Sequence, residues 1–244
     1  MIVDWTLIHV LSALFLATLI RSAFGFGEAL VAVPLLALVM PVAAAAPVAV
    51  LVSITVAAIV VAQDWRHVHF RSALWLLIPT LAGTPIGLFL LTEVSERAVK
   101  AILGTVIAAF SAYILLGRKR AALQNDRLAW LFGFGAGVLG GAYGMNGPPL
   151  VIYGTLRGWS PKHFRATLQG YFLPASLAGL IGYWLAGLWT AEVTHHYLTS
   201  LPAVLAAIFL GRVVNNRLNG NAFLRYVHLG LIAAGIVLLC QSLA

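Results

Sequence analysis

Two stretches combine glycine, proline and polar residues inside otherwise apolar sequence, and they hold the side chains best able to do chemistry. The first is FGFGE, from Phe24 to Glu28, with Arg21 before it and Pro34 after it. The second is GGAYGMNGPP, from Gly140 to Pro149. Arg21 and Glu28 are the charged residues of the first stretch. A charge inside apolar sequence costs at least about 2.5–3 kcal/mol on membrane-insertion scales, which makes it a functional candidate by default. Arg21 is suited to bind an anion directly or to hold Glu28 ionised. The plainer alternative is a structural Arg–Glu pair that closes a hairpin. Glu28 is the proton-coupling candidate, since a carboxyl withdrawn from bulk water can serve as a proton carrier. The second stretch has Met145 and Asn146 near the corresponding place, so the expected site is asymmetric.

Glycine and proline at this density break a helix. A short helix should restart after each break, near Glu28 and near Gly147. A helix N-terminus carries about half a positive charge and unpaired N–H groups, so two such ends approaching each other would hold an anion between them. Gly25, Gly27, Gly144 and Gly147 would let backbone donors come close to it. Pro148 and Pro149 suit a first helical turn, where no N–H is required. Close helix packing by small residues is the competing explanation for these glycines. Polar residues just beyond the breaks form a second tier, pairing Ser53 with Thr167 and Thr55 with Gln169. Gln169 stands out, because an amide in hydrocarbon needs partners. Phe24, Phe26 and Tyr143 are placed to pack around a ligand or gate it, or simply to fill space. The substrate-binding candidates are thus Arg21, Phe24, Gly25, Gly27, Glu28, Ser53, Tyr143, Gly144, Asn146, Gly147 and Gln169.

No catalytic, metal or cofactor set emerges. His67 with His69 and His195 with His196 lack acidic or cysteine partners at ligand spacing, and read as residues of loops at a membrane edge. Cys240, the one cysteine, lies in the last apolar segment and offers neither a disulfide nor a metal site.

The 244-residue chain is 61% hydrophobic and 9% charged. A soluble domain is about 25% charged, so this chain belongs to another class. The net charge of +8 would suggest nucleic acid in a soluble protein. Here the basic residues fall in short loops between apolar spans, as in membrane proteins. The N-terminus carries Asp4 and no Lys or Arg ahead of its apolar run, so it reads as a retained first span. An all-α integral membrane domain follows.

Loop charge then decides its topology. If each broken segment crossed the membrane once, six basic residues would lie inside and eight outside, against the positive-inside rule. If each is a hairpin returning to its own side, the balance is twelve inside and two outside. The expected architecture is therefore two repeats, each a re-entrant or broken-helix hairpin plus three transmembrane helices. Repeat 1 covers 1–117, with its hairpin at 5–41 and spans at 45–63, 72–91 and 97–116. A cytoplasmic linker covers 118–127. Repeat 2 covers 128–244, with its hairpin at 128–156 and spans at 166–188, 197–214 and 222–243. An odd number of crossings per repeat makes the two inverted. Three weak internal matches in the same order support a duplication: APVAVLVSIT with SPKHFRATLQ, IPTLAGTPIG with LPAVLAAIFLG, and VSERAVKAILG with LNGNAFLRYVHLG. Inverted repeats with broken helices meeting near the midplane are the architecture of secondary transporters.

The segments FGFGEALVAVPLL and GVLGGAYGMNGPPLVIYG, with the following SPKHFRAT, resemble the TauE/SafE sulfite exporter family, also called transmembrane sulfite and organosulfonate permeases. The likeness extends over nearly the whole chain. It implies a multi-pass protein of the bacterial inner membrane that moves sulfite or a small organosulfonate, in the export direction and linked to protons. A channel or permease for another small carboxylate or oxyanion is the alternative, and an integral-membrane enzyme a weaker one. The expected partners are the small anion and the lipid bilayer, with a homodimer as a candidate assembly and nucleic acid excluded.

Overall fold

The computed structural model describes residues 5–64, 70–117, 128–159, 161–215 and 220–243. Within those ranges some positions, Phe24 and Gln169 among them, are described for their backbone only. The linker at 118–127 and the loop carrying His67 lie outside the described residues.

The described residues form ten α-helices and no strand: α1 (Trp5–Phe24), α2 (Glu28–Leu36), α3 (Val42–Asp64), α4 (Phe70–Glu93), α5 (Glu96–Leu115), α6 (Ala129–Tyr143), α7 (Gly147–Leu156), α8 (Pro161–Leu185), α9 (Ala191–Asn215) and α10 (Gly220–Leu243). Hydrocarbon leaves a chain little choice, because it cannot satisfy peptide N–H and C=O groups and only internally bonded helices meet the requirement within one segment. Five of the helices, α1, α3, α4, α5 and α9, are long and apolar enough to cross a membrane. Their outer surfaces are apolar as well. On α4, Leu74, Trp75, Ile78 and Phe89 are all exposed, as a lipid-facing side requires.

Helix boundaries follow the sequence closely, with two extensions. α8 begins at Pro161 and α9 at Ala191, so polar residues expected in loops are wound into first turns. His195 and His196 therefore sit in α9 and not in a loop, where His196 Nε2 lies 3.7 Å from Glu192 Oε1. Among the described residues no group of three or more ligating side chains could hold a metal.

α1 and α2 form an antiparallel hairpin with unequal legs of 20 and 9 residues. At its open end His9 Nε2 donates to the Leu35 carbonyl at 2.8 Å, so the second leg returns to the level of the first turns of α1. α6 and α7 form a second hairpin of 15 and 10 residues. The main packing pairs are α4 with α6, α1 with α9, α5 with α10 and α3 with α8, joined by α3 with α9 and α4 with α8.

The α4–α6 pair approaches backbone to backbone. A Cβ on Gly83 would lie 2.3 Å from the Phe134 carbonyl, one on Gly137 would lie 2.1 Å from that of Thr80, and one on Gly141 would lie 2.1 Å from that of Thr84. Small residues at four-residue spacing permit this contact, which in lipid replaces hydrophobic driving force with dispersion and interhelical polar contacts. Thr80 Oγ1 adds one such contact, donating to the Gly133 carbonyl at 2.9 Å. Gly137→Ala should therefore destabilise the detergent-solubilised protein by about 1–3 kcal/mol, the usual cost of overpacking. Gly230→Ala, with open space around its added methyl, should leave the melting temperature unchanged. Equal melting of both variants would show that the glycine contact does not hold the pair together.

Candidate functional site

Both helix breaks have the same length. Residues 25–27 separate α1 from α2, and residues 144–146 separate α6 from α7. Gly25 (φ +86°), Gly27 (φ +97°) and Gly144 (φ +63°) adopt left-handed backbone, which costs other residues roughly 1–2 kcal/mol. That is why a three-residue reversal here is written with glycine.

The two breaks meet. Gly27 and Glu28 from the first, and Gly144, Asn146 and Gly147 from the second, line one pocket. Arg21 and Ser53 complete its polar side. Phe26, Phe110, Val151 and Phe172 line it with apolar surface. The start of α2 leaves first-turn N–H groups without a partner inside their own helix, whereas α7, whose second and third residues are Pro148 and Pro149, has such donors at Asn146 and Gly147 alone.

Arg21 and Glu28 form a buried ion pair between Nη1 and Oε2. The same Nη1 donates to Ser53 Oγ at 2.5 Å, and Thr18 Oγ1 donates to Glu28 Oε1 at 3.3 Å. The Arg21 guanidinium also lies over the Phe172 ring, with Cζ 5.1 Å from its centroid, a cation–π distance. The placement suits the backbone dipoles. Arg21 sits in the last turn of α1 and Glu28 in the first turn of α2, the ends that favour a cation and an anion respectively. Removing one member of a buried pair leaves an uncompensated charge, whereas removing both does not.

The second break has no charge and is held by neutral donors. Asn146 Nδ2 donates to the Ala136 carbonyl at 3.1 Å, and the Asn146 amide also bonds the Tyr171 hydroxyl. Tyr183 OH donates to the Gly140 carbonyl at 3.0 Å. Asn146 thereby ties the break to the middle of α6 and Tyr183 takes one carbonyl of its last turn, while Gly147 at the start of α7 lines the pocket. Gly140 is required by this arrangement, because a Cβ there would meet Asn146 Nδ2 at 2.2 Å.

Of the residues singled out from sequence, Arg21, Gly27, Glu28, Ser53, Gly144, Asn146 and Gly147 are brought together at the pocket. Gly25 shapes the turn but is not part of the lining. Tyr143 is buried elsewhere, its hydroxyl donating to the Val99 carbonyl at 3.0 Å. The side chains of Phe24 and Gln169 lie outside the described residues. Thr55 bonds the Tyr197 hydroxyl at 2.7 Å, and Thr167 is buried with no hydrogen-bond partner for its hydroxyl among the described residues.

Thr18, Phe110 and Phe172 escaped the sequence reading. Thr18 had a signal, since it lies three residues before Arg21 and so on the same helix face. Phe172 stands three residues after Gln169 in the same way. Phe110 had none, because an aromatic residue in an apolar helix is indistinguishable from lipid-facing filler until α5 is placed.

Arg21→Met should destabilise the protein by up to about 3–5 kcal/mol, and Arg21→Met with Glu28→Met by clearly less. Thermal unfolding in detergent measures both. A double variant no more stable than the single one would mean the two charges are not coupled.

Comparison with known proteins gives the same direction. The sequence profile of the family described as "Sulfite exporter TauE/SafE" matches residues 10–238. A curated relative, "Probable sulfite/organosulfonate exporter TauE" of Cupriavidus necator, is 28% identical over 203 residues, covering 78% of this chain and 76% of the relative. No solved structure gave a significant match. With a profile match spanning most of its length and five membrane-capable helices among the described residues, the chain belongs to the TauE/SafE sulfite exporter family of membrane transport proteins.

Proposed function

We propose that this chain exports a small sulfur-containing anion, sulfite or a small organosulfonate, across the bacterial inner membrane by proton-linked alternating access. The observation that carries the reading is the convergence of two helix breaks on one pocket that holds a buried Arg–Glu pair. Family membership and the exporter relative support the substrate class.

In this mechanism the ion pair is the switch. With both groups ionised, Arg21 is spent on Glu28, and an entering anion would add uncompensated negative charge to a desolvated site. A proton on Glu28 frees the guanidinium, which then holds the anion together with Ser53, the N–H groups at the start of α2 and the Gly147 N–H before the two prolines of α7. Loss of the anion restores the pair and expels the proton, so anion and proton cross in the same direction and outward movement is driven by the anion's own gradient. The wall of Phe26, Phe110 and Phe172 would accept the apolar part of a sulfonate.

The proposed architecture is two inverted repeats, 1–117 and 128–244, joined by a cytoplasmic linker. Its support is the packing pattern. Exchanging α1–α5 with α6–α10 in order turns the α4–α6 pair into α9–α1 and the α3–α9 pair into α8–α4, and leaves α3–α8 and α5–α10 unchanged. Rocking of one repeat against the other about the breaks would expose the pocket alternately.

Purified protein in liposomes should show saturable flux of labelled sulfite or methanesulfonate that follows an imposed pH gradient. Arg21→Ala should lower that flux about tenfold or more, in line with loss of a charged binding contact. Glu28→Gln should keep anion exchange while net flux loses its response to the gradient. Absence of flux for every sulfur anion would overturn the substrate assignment, non-saturable flux would indicate a channel, and gradient-driven flux in Glu28→Gln would overturn the coupling role.

A further inference from the structure

Arg21 meets the Glu28 carboxylate and the Ser53 hydroxyl through a single atom, Nη1. Its Cζ, at the centre of the guanidinium, lies over the Phe172 ring, 5.1 Å from the centroid. The contact with Glu28 depends on a carboxyl that gains and loses a proton in the mechanism above, whereas the ring does not titrate. An aromatic face attracts a cation through its negative potential, and the attraction is strongest where the cation is desolvated. Arg21 is only 7% exposed. A buried cation that loses its counter-charge has to keep other partners or escape to water.

The ring is itself held in place. Arg21 belongs to α1 and Phe172 to α8, so the contact crosses from the first half of the chain to the second. Tyr171 stands edge-on to Phe172, with centroids 5.8 Å apart and planes at 75°. Tyr171 is fully buried, and its hydroxyl is tied to Thr80 of α4 at 2.7 Å and to the Asn146 amide. Phe172 also lines the pocket. The face beneath Arg21 is therefore anchored on the uncharged side of the site, independently of Glu28.

We infer that Phe172 is a positioning residue, whose ring seats the Arg21 guanidinium in the pocket while Glu28 carries the proton, so that the anion meets a cation already in place. This rests on the transport reading above. It differs from lining the wall for a substrate's apolar part. A ring that met only that part would be indifferent to sulfite, which has none. A ring that seats Arg21 matters equally to every anion that Arg21 holds.

The test compares wild type with Phe172→Leu, Phe172→Tyr and protein carrying pentafluorophenylalanine at position 172, whose ring keeps its outline and loses its negative face. Concentration-dependent flux of sulfite and methanesulfonate is measured in liposomes. In the leucine and fluorinated proteins KM should rise about tenfold for both anions, the equivalent of about 1.4 kcal/mol. Their kcat should hold, the pattern left by a lost binding contact. Phe172→Tyr, which keeps the ring face, should restore most of the affinity. Wild-type KM in the fluorinated protein would overturn the inference, as would a rise for methanesulfonate that spares sulfite. Melting in detergent reads the seat without transport. Phe172→Leu should lower the melting temperature more in a Glu28→Gln background than in the wild type, because the seat carries more once the counter-charge is neutral. An equal or smaller loss there would also overturn the inference. Wild-type protein that moves neither anion would instead remove the transport reading, and the melting comparison would still decide whether Phe172 seats Arg21.

Discussion

A peptide group released from a helix within hydrocarbon has to find its partner inside the protein, and the centre of this molecule is organised by that constraint. Two helices stop beside the pocket, at Phe24 and at Tyr143, and two short ones start four residues later, at Glu28 and at Gly147. Each stop frees carbonyls and each start frees N–H groups. Several of the carbonyls are bonded within the protein, and both starts line a shared pocket. Gly25 N–H donates to the Arg21 carbonyl at 2.6 Å and Gly144 N–H to the Gly140 carbonyl at 2.8 Å. Asn146 and Tyr183 take further carbonyls of α6. What is left over is donor capacity, which is the raw material of an anion site.

The two halves meet this constraint differently. The first break uses ionised groups: Arg21 and Glu28 neutralise each other and are fixed by Ser53, Thr18 and the face of Phe172. The second uses neutral ones, an asparagine and two tyrosines anchored in α6 and α8. A site with charge on one side only can be switched by a single proton while its other side stays fixed. Two symmetric pairs would need two coordinated events.

Packing around the site is also uneven. α4 and α6 touch through glycines and backbone, and Thr80 ties α4 to both α6 and the Tyr171 hydroxyl, at 2.9 and 2.7 Å. Tyr171 in turn bonds Asn146. The uncharged side of the pocket is thus braced by a close-packed helix pair. The charged side hangs on a hairpin closed by His9 at one end and by the Arg–Glu pair at the other.

Much of this was legible in the sequence, for local reasons. Membrane embedding follows from composition, helix breaks follow from glycine and proline chemistry, and the starts at Glu28 and Gly147 were read at the residues where α2 and α7 begin. Arg21 paired with Glu28 could be read because they are the charged residues on either side of one glycine break, and a reversal there folds them back together. The loop reading of His195 and His196 failed because polarity alone does not end a helix whose first turn has left the hydrocarbon. What only the tertiary structure decided was convergence: that Phe110, Phe172 and Ser53 from three separate helices face the same pocket, and that Tyr143 does not. Apolar helices in lipid present nearly uniform surfaces, so periodicity does not say which side faces a partner. That choice is made by steric fit between whole helices, such as the glycine contact of α4 with α6. A sequence therefore names the residues that break a membrane helix, while the packing of distant helices names the residues that surround what the break exposes.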